Sequence, residues 1–191
     1  MKKRKKFFTS MILTILAIVI FIPTTQAYNF TGNRWPKKSG QSYTVYLRYG
    51  MPNTSSYTIY RDAFASAVSD WNSSQSKISF NLSDSNASSP FYVGTYSLAN
   101  INIYGECKCY GSFSTDYIFD NVNVLININN PDIQAKAKTR RSVAGHELGH
   151  ALGLHEENSV AIALMNQNRN RETIYTPQTD DINGVNARYP N

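Results

Sequence analysis

All three histidines of the chain lie within one ten-residue segment, at positions 146, 150 and 155. Two imidazoles four residues apart on a helix lie one turn apart on the same face, so His146 and His150 can bind a single metal ion. Glu147, directly after the first of them, can then reach a water molecule held on that metal. This spacing predicts a zinc-dependent hydrolase, and peptide bonds are the substrate that we expect.

The chemistry assigns a separate role to each residue of the pattern. A catalytic zinc ion commonly takes three protein ligands and keeps a fourth position for water. Glu147 would accept the proton of that water and later pass it to the leaving amine. The carboxylate must touch the water without binding the metal, and the position beside a ligand provides this geometry. His146 and His150 are therefore predicted metal ligands, and Glu147 is the predicted general base.

A helix must hold these side chains, with one face buried and the other open. Helical spacing predicts such a helix from about residue 138 to 152, with an apolar stripe formed by Ala144, Leu148, Ala151 and Leu152. At 100° per residue the two histidines lie on the opposite side and face a cleft. Gly153 follows where a left-handed residue would end the helix and turn the chain sharply.

The other elements predict a mixed α+β domain. Alternating apolar and polar residues indicate strands, and helical spacing over about 56–72 indicates an amphipathic helix. A short helix is expected to begin near Thr179. The predicted strands cover residues 43–49, 78–82, 98–104, 106–113 and 122–128.

The first 27 residues have the pattern of a secretory signal peptide rather than of a folded segment. A basic stretch precedes an apolar core, and small residues precede the expected cleavage after Ala27. The whole chain carries 19 Lys and Arg against 13 Asp and Glu; residues 1–27 hold five of these bases and no acid. The mature chain therefore has 14 bases and 13 acids, a net charge of +1, and no basic patch that would indicate a nucleic-acid partner.

The two cysteines, Cys107 and Cys109, are separated by one residue. In an extended segment both side chains point to the same face, and a bridge between them or a pair of free thiols is compatible with an oxidising compartment. Two such ligands without companions make a poor structural zinc site. We attach no catalytic role to them.

The chain resembles the bacterial matrixin-like proteases of the metzincin class. His146-Glu147-x-x-His150-x-x-Gly153 matches the first eight positions of the metzincin signature, and Met165 stands where the family's Met-turn would fall. The segment from Thr176 to Gly184 is similar to the start of the family's C-terminal helix. In that family the turn methionine lies beneath the zinc site without binding it, and the residues after it wall the pocket for the substrate side chain that follows the cleaved bond.

The sequence departs from the metzincin pattern at the third ligand. The family has a histidine, or sometimes an aspartate, three residues after the glycine; here that position is Glu156, and His155 comes one residue early. Backbone register favours Glu156, because Leu154 would be buried and the next residue turned outward. Imidazole chemistry favours His155, since a neutral histidine suits zinc well. On the sequence alone we favour His155, with Glu156 as the alternative.

The resemblance implies a zincin fold with about five strands in a twisted mixed sheet, packed on two long helices. It implies one catalytic domain over residues 28–191, divided near residue 153 into an upper part and a small C-terminal subdomain, 154–191. We expect a secreted, extracellular, monomeric endopeptidase with peptide or protein substrates and no membrane association in its mature form. The alternative is a secreted binding protein that keeps the zincin fold but has an impaired metal site. Calcium ligands could come from Asp84, Asp116 and Asp120, although ordinary solvated turns explain these residues as well.

Overall fold

A five-stranded mixed sheet forms the centre of the molecule. The computed structural model describes residues 28–112 and 117–191. Its strands are β1 (Tyr43–Tyr49), β2 (Ile78–Leu82), β3 (Tyr92–Tyr96), β4 (Gly105–Ser112) and β5 (Ile118–Asn127). They lie in the order β2-β1-β3-β5-β4, and all neighbouring pairs are parallel except β4 with β5. The α+β class with a five-stranded mixed sheet is thus as predicted.

The helices are α1 (Thr58–Ser74), α2 (Pro131–Ala135), α3 (Ala137–Ala151) and α4 (Thr179–Arg188). The longest two, α1 and α3, pack against each other and bury Phe64 and Trp71 with the apolar stripe of α3. Trp71 donates from its indole nitrogen to the backbone carbonyl of Gly145 at 2.8 Å. This bond fixes α3 on the molecule's core.

The strand predicted at residues 98–104 does not form. Strand β3 lies earlier, at Tyr92–Tyr96, and residues 98–104 form turns and irregular chain. Asn127, which is fully buried, explains the difference, because its side-chain amide donates to the carbonyls of Asn100 and Ile103 at 3.2 and 2.9 Å. The apolar residues of this segment suggested a strand, but a distant asparagine satisfies its backbone instead.

The chain turns sharply after α3, as the sequence predicts. Gly153 has φ +86°, a left-handed conformation that favours glycine, and a Cβ there would lie 2.7 Å from the carbonyl oxygen of Asn33. The following segment crosses beneath α3 and ends in α4. Among the described residues, no helix has the length and apolar character needed to cross a membrane.

Cys107 and Cys109 form a disulfide within the edge strand β4. Asp84, one of the three candidate calcium ligands, pairs with Arg61 at 2.6 Å, which leaves its carboxylate less available to a calcium ion. Asp116 and the predicted signal peptide, residues 1–27, lie outside the described residues, so both remain sequence predictions.

Candidate metal centre

The helix that carries the predicted ligands is buried on almost every side. Helix α3 spans Ala137–Ala151, one residue from the predicted bounds, and its C-terminal half forms one wall of a cavity of about 610 Å³. His146, Glu147 and His150 all line this cavity. The centroids of the two imidazole rings lie 4.8 Å apart. The pair four residues apart therefore faces one open space, as the spacing predicts.

Two backbone carbonyls orient the histidine rings. His146 Nδ1 lies 2.8 Å from the carbonyl oxygen of Leu164, and His150 Nδ1 lies 2.9 Å from that of Leu154. A carbonyl only accepts, so each Nδ1 must carry the proton and donate it. In a neutral ring each Nε2 is then left unprotonated with its lone pair available, which is the tautomer that a metal ligand requires.

Glu156, rather than His155, completes the cluster. One ligand atom from each of His146, His150 and Glu156 can be chosen so that all lie within 4.8 Å of one another, the only such cluster found in the described ranges. Glu156 Oε1 lies 3.5 Å from His150 Nε2. The side chain of His155 is 56% exposed, and its Nδ1 lies 3.0 Å from the other Glu156 oxygen.

The sequence favoured His155 as the third ligand, but the structure brings Glu156 to the two histidines of α3 instead. Leu154 is buried, which turns the next residue outward and the one after it back toward His150. Backbone register outweighs the chemical suitability of imidazole at this point.

Glu156 and His146 carry the charges that metal ligands require. The hydrogen bond with His150 holds the pKa of Glu156 well below its usual range, so this carboxylate is ionised. Burial, followed by the nearby Arg169, lowers the pKa of His146, which keeps that ring neutral. Burial would lower the pKa of His150, but the hydrogen bond with the Glu156 carboxylate and the nearby Glu147 together raise it. A metal ion bound at Nε2 would displace that proton.

Glu147 lies beside the cluster as a buried carboxylate. It is 6% exposed and lines the same cavity, and no hydrogen bond to its carboxylate is present among the described residues. Burial raises its pKa to about 7. A carboxylate of this basicity can take and return a proton near neutral pH.

Gly105, the first residue of β4, has no side chain and so allows this strand to approach Glu147. A Cβ on Gly105 would lie 2.8 Å from Glu147 Oε1 and 2.7 Å from Val143 Cγ1, both closer than contact permits.

We expect Gly105→Ala to lower kcat/KM for peptide hydrolysis about 10- to 100-fold by displacing Glu147, because misplacement by about 1 Å can cost that much. Zinc content should not change. Gly94→Ala is the matched control, since its Cβ would meet only side chains at 3.3 Å or more. Full activity of Gly105→Ala would contradict this role.

The segment beneath the cluster is held by one aspartate of α4. Asp181 accepts hydrogen bonds from the backbone nitrogens of Leu164 and Met165 at 2.7 and 3.0 Å. It also accepts from the nitrogen of Gln178 at 2.7 Å and so completes the cap of α4. Met165 is buried beneath α3, where a Cβ on Gly149 would collide with its sulfur. Asp181 thus positions the Leu164 carbonyl that orients His146.

Arg169 is a second residue of the centre that sequence reasoning did not identify. It is 5% exposed, lines the cavity, and donates to the side chain of Ser142 at 2.9 Å. Burial lowers its pKa to about 9, so it still carries its charge at neutral pH. The only sequence signal was an arginine in the segment after Met165, where the family resemblance implied a pocket wall.

The residues present fit a zinc ion. Two imidazole nitrogens and one carboxylate oxygen form a known set of protein ligands for catalytic zinc. Two ligands at about 2.1 Å from one tetrahedral ion lie roughly 3.4 Å apart, and the His150–Glu156 separation of 3.5 Å is close to this value. The hydrogen-bonded Nδ1 atoms supply the outer contacts that such ligands need.

The fold and the cluster together are those expected of a metallopeptidase domain. The family model described as Matrixin, of the M10 peptidases, matches residues 34–190. The chain therefore belongs to the matrixin family, whose members are metallopeptidases acting on peptide or protein substrates. The resemblance stated from the sequence is confirmed.

A solved structure described as the GM1-bound form of the ECX AB5 holotoxin is similar to this chain in fold. The two are 17% identical with a TM-score of 0.50, and the match covers 86% of this chain and 89% of that one. No curated protein matches the sequence significantly. At this identity the likeness concerns the fold alone.

Proposed function

We propose that the protein is a secreted zinc endopeptidase in which His146, His150 and Glu156 hold the ion. Glu147 acts as the general base. The convergence of three ligand atoms beside a buried carboxylate, within one open cavity, is the observation that carries this proposal. A binding module would have no need of a buried carboxylate next to its metal ligands.

The protein's own groups have defined tasks in this reaction. When bound, zinc lowers the pKa of its water from 15.7 to about 7 and polarises the carbonyl of the peptide bond. Glu147 takes the proton of the attacking water on a carboxylate oxygen and then delivers it to the amine that leaves. The carbonyls of Leu164 and Leu154 keep both imidazole rings oriented throughout.

The free edge of β4 is suited to hold an extended substrate. Strand β4 pairs only with β5 in the part of the chain that the structure describes, and Gly105, Glu106 and Cys107 line the cavity. Backbone groups of an edge strand can bind a peptide as an added strand, which gives affinity without depending on the sequence of the peptide. This arrangement supports cleavage within a chain rather than at its end.

Secretion is part of the proposal and is supported by residues 1–27. Their basic start, their apolar core and the small residues that lead up to Ala27 are typical of a cleaved signal peptide. The disulfide of Cys107 with Cys109 agrees with an oxidising compartment. N-terminal sequencing of the protein recovered from the culture medium should begin at Tyr28.

Hydrolysis of casein by the purified mature chain tests the activity directly. We expect 1,10-phenanthroline to reduce the rate at least about 100-fold, because the metal supplies the nucleophile, and added zinc to restore it. The non-chelating isomer 1,7-phenanthroline is the control and should have no effect. Activity that survives the chelator, or bound zinc without any hydrolysis, would contradict the proposal. The second outcome would favour the impaired zincin-fold binding protein.

A further inference from the structure

Two arginines lie on one wall of the catalytic cavity. Arg169 and Arg171 both line it, on the segment that follows Met165, and face the same space as Glu147. Arg169 is 5% exposed, and Arg171 is partly buried. Two guanidinium groups placed together repel each other, and burial removes the water that would screen them. An anionic ligand between the two groups would offset this repulsion.

The hydrogen bonds of Arg169 leave part of its guanidinium group unsatisfied. It donates to Ser142 Oγ, to the Ser142 carbonyl and to the Asn166 carbonyl at 2.9–3.0 Å, and all three acceptors are neutral. Its Nη1 also lies 3.1 Å from His146 Nδ1. That nitrogen already carries a proton, which it donates to Leu164, so it cannot accept another. At least one N–H of Arg169 therefore has no acceptor.

Arg171 has a similar deficit. Its Nε is buried and has no hydrogen-bond partner among the described residues. Its Nη2 donates to the carbonyl of Gln167 at 3.0 Å, and the guanidinium stacks on the ring of Tyr104 at 4.1 Å. The stacking fixes the plane of the group on the wall of the cavity and leaves its edge available.

The protein's own carboxylates do not pair with these arginines. Within residues 28–112 and 117–191, no ion pair of 4.0 Å or less joins a carboxylate to either one. Asp181 is occupied by three backbone nitrogens, and Glu172 accepts from Thr139. A buried unpaired charge is costly, whereas an entering carboxylate would form charge-assisted bonds to the fork of an arginine.

We propose that Arg169 and Arg171 form a subsite that selects peptides with an acidic side chain, glutamate or aspartate, adjacent to the cleaved bond. The side chain must be adjacent because Arg169 is in contact with His146, one of the residues assigned to hold the ion. The subsite rejects neutral and basic side chains, since these leave the arginines unpaired inside the cavity. This inference rests on the proposed function and narrows its substrate class.

Matched fluorogenic peptides test the preference. Two series differ only in the residue before or the residue after the cleaved bond, which is glutamate, glutamine or lysine. We expect kcat/KM for glutamate to exceed that for glutamine at least about 10-fold in one of the series, with lysine the poorest in it. Equal rates for glutamate and glutamine in both series, or a preference for lysine, would overturn the inference.

Substitutions of the two arginines test whether these residues cause the preference for glutamate over glutamine. Arg171→Gln should reduce the glutamate-to-glutamine ratio at least about threefold, and Arg169→Gln should reduce it further if that more buried variant folds. Arg48→Gln removes an arginine that stacks on Tyr92 outside the cavity, and its ratio should equal that of the wild type. A full preference retained in Arg171→Gln and Arg169→Gln would contradict the assignment.

A binding measurement separates failure of the subsite from failure of the proposed function. The Glu147→Gln variant, loaded with zinc, should bind the glutamate peptide at least about 10-fold more tightly than the glutamine peptide in calorimetry. Selective binding without hydrolysis by the wild type would support the subsite and refute the peptidase. Hydrolysis without any acidic preference would support the peptidase and refute the subsite.

Discussion

Replacing Glu147 with glutamine should lower kcat for peptide hydrolysis by about 10³-fold or more while leaving zinc bound. General acid–base catalysis contributes about 10²- to 10⁴-fold, and this carboxylate is assigned both the acceptance and the delivery of the proton. Glutamine has nearly the same shape but cannot accept a proton at neutral pH. Initial rates on a fluorogenic peptide, together with zinc content per chain, measure both parts of the expectation.

Glu106→Gln is the matched control for this substitution. Glu106 lines the same cavity but is exposed on β4, and it lies near Lys108 at 3.6 Å. Its loss should change kcat by no more than about threefold, as expected for a solvated charge. Wild-type turnover in Glu147→Gln would remove the residue from the mechanism. Lost turnover accompanied by lost zinc would instead assign it a role in metal binding.

Replacing Glu156 with alanine should weaken zinc binding more than about 100-fold, because loss of a direct ligand exceeds the 10- to 100-fold effect of an outer contact. His155→Ala should weaken it by about 10-fold at most. His155 contacts Glu156 Oε2 at 3.0 Å and therefore only helps to orient the ligand. Competition with a chromophoric chelator measures the two affinities under the same conditions.

The comparison of these two variants decides which neighbour binds the ion. Gln167→Ala is an additional control, since Gln167 donates to Glu156 Oε1 at 2.9 Å without being a candidate ligand. Its effect should resemble that of His155→Ala. A larger loss of zinc affinity in His155→Ala than in Glu156→Ala would reverse the assignment.

Local patterns predicted the element that carries the chemistry. The apolar stripe of Ala144, Leu148 and Leu152 indicated which face of α3 is buried, and all three are inaccessible to solvent. A helix is a local structure with a known period, so the placement of His146 and His150 on one side follows from their spacing alone. The turn at Gly153 was predictable for the same reason, because few residues other than glycine adopt its conformation.

Contacts between distant residues could not be predicted in this way. Whether residue 155 or 156 meets His150 is such a contact: the burial expected for Leu154 favoured Glu156, but the suitability of imidazole for zinc was given more weight. The chain at 98–104 contains apolar residues typical of a strand, yet the amide of Asn127 holds it as a turn. At residues 98–104 a tertiary interaction therefore overrode a sound local tendency.

The supporting residues of the centre were recognised only in their local roles. A helix start near Thr179 was predicted, and Asp181 completes the cap of that helix, α4. Its second role, holding Leu164 and Met165, requires residues 16 or 17 positions away. Arg169 gave no signal of its own, because an arginine in a polar segment is ordinarily a surface residue.

The orientation of His146 depends on a carbonyl that is itself held by the last helix. Asp181 of α4 holds the backbone of Leu164 and Met165, so this carbonyl takes its place only when α4 is docked. A chain truncated before α4 should therefore lose the ring orientation that metal binding at His146 requires, even though every predicted ligand is still present.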